Sequence, residues 1–458
     1  MVGVSGGGRA LDQHANRRCN WSAGISLIFL TLAVPVSAQT WDIPAALAGD
    51  VVTGSGGKLK FGLEQRERYE IRNGNSFGSD VDLATGLVRT RVSLTFENSW
   101  LKLSGMMQDS RAPWYGPNAP ASVRDPADLH EAYFELFPER KTGVFFAGGR
   151  RMLNYGEGRL IGTPQWSNTS RTYDFARAGW ASKRGRVEAL LVSPIVFQPA
   201  AFNKPVLGNR VWGVYSSFPE IAKKMLLEAY LLRHDQNRPG GFTGGSTRNG
   251  TDRLEVNTLG FRLAGPLGTA WRYSVEGAVQ NGWIGPGRQR AEAWYSLVAR
   301  RWTIHGKPLE ISAEYKYASG TRNPRDPLRS GTFDQLFPAN HDKFGHEDLL
   351  GWRNLHNVRS LGALEFSKRW TWYAMYNQFW LASSCDALYN SAGRAIARST
   401  SCTAGSHVGQ EADVFTVYRY KHFQIGAGYG YFVPGGFLRR TTPGVGPTYI
   451  YIFHTYSL

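Results

Sequence analysis

Cysteine is almost missing from this chain: there are three in 458 residues. There is no CxxC, no HExxH and no clustering of Cys with His, so nothing calls for a metal or any other cofactor. Long apolar runs are missing too. The one candidate is AGISLIFLTLAVPV near the N-terminus, and it is shorter than the roughly 20 residues a spanning helix needs. No later stretch comes closer, which excludes a bundle of membrane helices. Acidic residues are scarce, 36 against 53 Lys and Arg, leaving a formal charge of +17. Such a surplus points to an anionic partner: nucleic acid, acidic lipid or an acidic solute.

The apolar run narrows the choice. Arg17 and Arg18 precede it and Val36-Ser37-Ala38 follows, which is the charged, apolar and small-residue order of a secretory signal. Residues 1–38 read as that signal, cleaved after Ala38, and residues 39–57 as a short lead-in. A membrane anchor is the alternative reading of the same run. Export argues against nucleic acid despite the basicity. Cys19 leaves with the signal. Cys385 and Cys402 remain in one polar loop, where an oxidising compartment favours a disulfide between them; two unrelated free thiols are the alternative.

Glycine and aromatics are abundant instead, with 53 glycines and 13% aromatic residues. Beyond the signal the apolar period is two. In WRYSVEGAVQ, Trp271, Tyr273, Val275 and Val279 alternate with Arg272, Ser274, Glu276 and Gln280. In GLVRTRVSLTFE, Val88, Val92, Leu94 and Phe96 alternate with Arg89, Arg91, Ser93 and Glu97. One face suits hydrocarbon and the other water, although a soluble sandwich also alternates. Link lengths separate the two. About eighteen segments of about ten residues run from near 58–69 to near 447–458, the span of a tilted membrane strand. After even segments the links are short: Asn98-Ser99, PERKT, KRG, PLG, HGK. After odd segments they are long, as in 110–129, 152–174, 234–253, 320–357 and 382–409. The fold expected over residues 58–458 is therefore all-β: a transmembrane antiparallel β-barrel in outer-membrane lipid, with short periplasmic turns and long extracellular loops. Trp100, Trp271, Trp302, Trp370 and Trp372 fall beside the short links, as an interfacial belt would.

If the polar faces turn inward, the lumen receives Glu64, Arg66, Arg68, Arg89, Arg91, Lys102, Arg177, Arg272, Lys316, Glu411 and Asp413. Rings of arginine select anions in a narrow channel with low-dielectric walls, and a guanidinium pairs bidentately with a carboxylate. The competing reading is a lumen braced by internal ion pairs with no transport role.

One stretch carries a family likeness: GGRRMLNYGEGRLIGTPQWSNTSRTYDFAR, residues 148–177. It resembles the signature of the bacterial alginate export family, in Gly149-Arg150, Tyr155-Gly156, Arg159-Leu160, Trp166 with Asn168, and Arg171 with Tyr173-Asp174. HDKFGHEDLLGWRNLHNVR, HVGQEADV and FVPGGFLR are similar to later parts of the same family. The resemblance runs from about residue 58 to the C-terminus. It implies an eighteen-stranded outer-membrane porin that passes a polyuronate through an arginine-rich constriction. Carried over by position, Arg150, Arg159, Arg171, Arg353 and Glu411 are its best candidates. The constriction is expected to combine Arg150, Arg159, Arg171 and Arg353 with the inward Arg66, Arg68, Arg89 and Arg91 around a wet pore.

The function expected is passage of an anionic polysaccharide or other carboxylated solute, without catalysis, and with room for periplasmic export or assembly partners. Two rivals stand beside it. A secreted or surface enzyme on acidic polysaccharide could use Glu310 and Glu314, or His341, His346 and His356, but no nucleophile elbow or metal motif accompanies them. A structural or adhesive barrel could be plugged by loop 320–357. N-terminal sequencing of the membrane-extracted protein should begin at Gln39; a start at Met1 would make the apolar run an anchor.

Overall fold

The computed structural model describes residues 50–52, 56–78, 83–115, 119–138, 142–199, 201–222, 224–237 and 253–458. The expected signal and most of the expected lead-in lie outside them.

The alternating segments become strands because each offers one apolar and one polar face. The first nine are β1 (Lys58–Asn73), β2 (Leu83–Glu97), β3 (Leu101–Arg111), β4 (Asp125–Leu136), β5 (Gly143–Arg151), β6 (Tyr173–Ser182), β7 (Gly185–Val196), β8 (Asn209–Ala222) and β9 (Met225–Gln236). The other nine are β10 (Leu254–Leu267), β11 (Trp271–Ile284), β12 (Gly287–Ile304), β13 (Lys307–Ala318), β14 (Leu355–Ser367), β15 (Trp370–Trp380), β16 (His407–Tyr420), β17 (Phe423–Pro434) and β18 (Thr448–Ser457). Each pairs antiparallel with the next, and β18 returns to pair with β1 from Glu64↔Ser457 to Asn73↔Thr448. The result is a closed antiparallel barrel of 18 strands. Among the described residues, no helix is long and apolar enough to cross a membrane.

Side-chain direction follows the alternation. Leu94, Leu231, Leu259, Val279, Val414 and Ile452 are exposed on the outer wall, whereas Arg66, Arg68, Arg89 and Arg91 are buried inside it. At the short-turn rim the Arg300 guanidinium lies 5.1 Å from the Trp271 ring and 5.0 Å from that of Trp302. Trp100, Trp271 and Trp372 are outward and exposed there, as an aromatic belt requires.

One expected link differs. β11 and β12 run further outward than the apolar pattern suggests and join through only Gly285 and Pro286. Gly285 takes a φ of 55°, which lets the chain reverse in two residues. The extended hairpin supports loop 319–354, whose Arg329–Ser330 segment pairs in parallel with Arg288 and Gln289. Cys385 and Cys402 are joined, with Cα atoms 4.4 Å apart, beside a small hairpin of Ala387–Tyr389 and Ala395–Arg398.

Gly149 shows how closely the wall is packed. Its φ is 122°, and a Cβ there would lie 2.8 Å from the Tyr133 Cα. Gly149→Ala should therefore cost about 1–3 kcal/mol, read as a lower urea midpoint for the folded, heat-modifiable band. An unchanged midpoint would show that β4 and β5 part there without cost.

Candidate functional site

The inward faces of β1 and β2 carry four arginines in two rows, with Arg66 opposite Arg89 and Glu64 opposite Arg91. Their guanidiniums converge on a short piece of backbone from the loop between β5 and β6. Arg66 donates to the carbonyls of Gln165 (2.8 Å), Trp166 (3.1 Å) and Ser167 (3.1 Å). Arg89 donates to Gln165 O and Ser167 O at 3.0 Å each, and pairs with Glu64 at 2.7 Å. Arg68 also reaches Trp166 O, lies 4.1 Å from the Trp166 ring and pairs with Glu70 at 2.6 Å. Arg91 donates to Gln108 Oε1 at 2.8 Å and Gln165 Oε1 at 3.1 Å. The ladder holds the three successive carbonyls of Gln165, Trp166 and Ser167.

Local sequence explains how the loop gets there. Gly156 and Gly158 adopt φ of 58° and 67°, so the chain doubles back immediately after β5. Asn168 then pins the far side, its amide donating to the carbonyls of Val88, Arg111 and Val123 at 2.8–3.3 Å. Between these anchors the Trp166 indole stacks on His341 with centroids 4.7 Å apart and donates from Nε1 to Tyr449 Oη at 3.1 Å. The loop is also joined to loop 319–354. Gly162 N donates to Phe337 O (2.9 Å) and Phe337 N to Leu160 O (2.8 Å). Leu160, Ile161, Phe333, Leu336, Phe337 and Trp352 are all buried in the largest apolar cluster, against inward residues of the wall such as Tyr173, Tyr215 and Tyr295.

This overturns the expectation of a wet lumen around the arginines. None of Arg66, Arg68, Arg89, Arg91, Arg159, Arg177 and Arg353 is more than 7% exposed. Arg159 pairs with Glu157 at 3.0 Å and lies 3.4 Å from the Tyr295 ring. Arg177 pairs with Glu135 at 3.1 Å. Arg171 donates to Pro338 O at 3.1 Å, and Arg353 to Gly393 O at 3.0 Å. Loops that fold inward bring their own apolar side chains, and these exclude water. The expected eight-arginine ring is not one cluster. Arg66, Arg68, Arg89 and Arg91 form the ladder, while Arg159, Arg171 and Arg353 fasten separate parts of the loops.

Arg150 and Asp174 need a further correction. They form a bidentate pair at 2.6 and 3.1 Å, but on the strand face shared with the exposed Phe146 and Trp180, near the long-loop rim. Arg151 is the inward member of the two arginines; it meets the buried Glu135 and the Tyr133 ring. Alternation fixes that one of two neighbours faces in, and burial of Phe145 and Ala147 decides which. Nearer the short-turn rim the inward charges are more open, as in Arg272–Glu310 and Arg301–Glu365, where the arginines are 50% and 56% exposed.

The alginate export family matches residues 58–451. The chain belongs to that family. No functionally curated protein matches it in sequence. Three Pseudomonas aeruginosa structures share its fold. OpdQ superimposes with a TM-score of 0.58 at 10% identity, covering 87% of this chain and 97% of its own. OccK8 (OprE) gives 0.57 at 9%, covering 87% and 98%. OccK2 (OpdF), solved in complex with glucuronate, gives 0.57 at 11%, covering 87% and 98%. This alginate export family member is thus an outer-membrane channel built on a porin-type barrel.

The family member also carries a carboxylate cluster under loop 319–354. Glu411 and Asp413, expected in the pore, face inward from β16 but are 0% and 1% exposed. Glu347 from the loop joins them: its backbone N donates to Glu411 Oε1 at 3.1 Å. Glu347 and Asp413 both crowd the Cα of Gly430, where a Cβ would lie 3.4 Å from Glu347 Cγ and 2.6 Å from Asp413 Oδ1. Glu347 Oε1 is buried without a hydrogen-bond partner among the described residues. Burial, and then the Asp413 carboxylate, push the Glu347 carboxyl up to about 8, against the pull of Arg72. Glu157 shows the opposite balance: burial would raise its carboxyl, but Arg159 and Arg262 hold it down at about 2. Glu347 lies in the run HDKFGHEDLLGWRNLHNVR, and its signal in the sequence is acid placed in a loop otherwise built for turns.

The sign of the pH effect follows. A docked loop in which Glu347 keeps its proton is stabilised fully below the ordinary carboxyl value near 4.5, and loses that contribution as pH rises through about 8. Protection factors in residues 319–354, with the base-catalysed intrinsic exchange rate divided out, should fall over that interval, and Glu347→Gln should flatten the profile. A wild-type profile that is already flat would show that Glu347 ionises without disturbing the loop.

Proposed function

We propose that this channel conducts a carboxylated chain of the alginate type, a polyuronate, with the arginine ladder as its recognition element. The observation that carries the reading is the convergence of Arg66, Arg68 and Arg89 on three adjacent backbone carbonyls, with Arg91 holding the Gln165 side chain beside them. Carbonyls are neutral acceptors. A carboxylate accepts the same guanidinium donors with roughly twice the strength, so a polyuronate can compete for the ladder and displace Gln165–Ser167. The loop thereby keeps the pathway closed until the right chemistry arrives. The open, paired charges near the short-turn rim suit a polyelectrolyte that must enter without sticking. Glucuronate in the OccK2 complex shows that a uronate is accommodated by one barrel of this fold. In this reading residues 1–38 are removed on export.

A plugged, non-conducting barrel is the second reading. The three-loop core favours it, with Arg353, Gln335 and Asn354 tying loop 319–354 to residues 383–393.

Planar-bilayer recording separates the two. The channel reading expects anion-selective current at low salt and block by added polyuronate, weakening as salt screens the field. Arg66→Ala with Arg89→Ala should weaken that block about tenfold, since a hydrogen bond to a charged group contributes about 1.5–3 kcal/mol. Arg66→Lys with Arg89→Lys keeps the charge, loses the fork and should fall between. Absence of current from folded, heat-modifiable protein under all these conditions would establish the plugged barrel instead.

A further inference from the structure

Polar side chains also stand out on the opposite face of the wall. Where β18 closes on β1, Glu67 and His454 are register partners. Both belong to the outward alternation, with Tyr69 and Ile452 beside them. Their side chains are 35% and 42% exposed, and their polar ends are 4.0 Å apart, beyond hydrogen-bond distance. One step along β1, Gln65 is opposite Thr90 of β2, and its Oε1 accepts a hydrogen bond from the Thr90 hydroxyl. Gln65, Glu67, Thr90 and His454 thus make one continuous polar patch on the lipid-facing side of the seam.

The patch is not at a rim. Followed across paired residues in one direction, Glu67 is opposite Val88, and Val88 is opposite Arg111, the last residue of β3 at the long-loop end. In the other direction His454 is opposite Ile425, Ile425 opposite Tyr418, and Tyr418 opposite Trp370, the first residue of β15 at the short-turn end. Tilt carries this row from one rim to the other, and Glu67 lies between them. Exposed Phe61, Ile71, Val92, Ile425, Ile450 and Ile452 surround it. Charged outward side chains such as Arg111, Arg210, Glu255 and Arg300 instead sit near the ends of their strands.

Hydrocarbon offers neither a carboxylate nor an imidazole a partner, so such groups on a lipid face are costly and mark contact with something polar. We propose that the seam of β18, β1 and β2 is an interface with a second copy of this chain. The patch is complementary to itself. A two-fold axis along the membrane normal through the seam reverses left and right, so Glu67 of one copy faces His454 of the other, and the pairing is made twice. The amide of Gln65 and the hydroxyl of Thr90 then have polar neighbours on both sides of the axis. A partner of different sequence would need the same donors and acceptors at the same height; a second copy has them by symmetry. This interface does not depend on what the channel conducts.

Disulfide trapping in native outer membranes tests it. Ile452→Cys is register partner to Tyr69 and adjoins the patch without altering it. Under mild oxidation it should give a cross-linked band at twice the monomer mass, whereas Leu259→Cys on β10, nine strands away, should give none. Adding Glu67→Leu and His454→Leu should lower the cross-linked fraction about tenfold or more, as loss of reciprocal pairs requires, while heat-modifiable mobility stays intact. Monomer only from Ile452→Cys, equal cross-linking from Leu259→Cys, a cross-link to a different polypeptide, or an undiminished dimer in the double leucine background would each overturn the proposal.

Discussion

Backbone hydrogen bonding without water is the constraint on which this structure rests. A strand in hydrocarbon must find a strand on each side, and a sheet with an edge cannot satisfy that. The pairing of β18 with β1 is therefore the contact that makes the other seventeen possible. Closure sets the inside and outside of the wall. It then assigns every second side chain to lipid and every other one to the interior. A basic chain becomes compatible with a membrane because its arginines fall on the inner alternation or, like Arg111, Arg150, Arg210 and Arg300, near strand ends, while its leucines, valines and isoleucines supply the outer band.

The interior so formed is wide and polar, and the loops solve the problem it poses. Loop 152–172 gives its carbonyls to the ladder of β1 and β2. Loop 319–354 lays an apolar ridge against it, and the loop around the disulfide covers the second from behind. Buried guanidiniums are tolerable here because each has carbonyls, carboxylates or aromatic faces around it. The same arrangement makes the loops conditional. In the proposed reading, carboxylates of the solute replace the neutral carbonyls on the ladder. An obstruction built this way can respond to charge, which an apolar plug could not.

The outer wall carries a second kind of information. Its aromatic belt and apolar band satisfy the bilayer, so an ionisable pair at mid-height stands out against them. The feature is invisible to composition: Glu67 and His454 are 387 positions apart and meet only through closure.

Much of the architecture was legible in the residues. Period-two alternation, about ten residues per segment and the contrast of short and long links follow from local chemistry, and all eighteen expected segments became strands. The inward direction of Glu64, Arg66, Arg68, Arg89 and Arg91 followed from the same alternation. The family likeness held over residues 58–451. Tertiary structure alone decided the rest. Alternation could not choose between Arg150 and Arg151, because that depends on which neighbours are packed. Nor could it foresee that residues 164–168 would occupy the ladder. A Gly-rich loop has no periodicity to read, and its direction is set by glycine dihedrals, by the three carbonyls that Asn168 finds, and by an apolar partner loop nearly two hundred residues away. Sequence determined that each strand turns one polar face inward; only the folded loops determined that the groups on it are already engaged, because contacts between distant loops have no local signature.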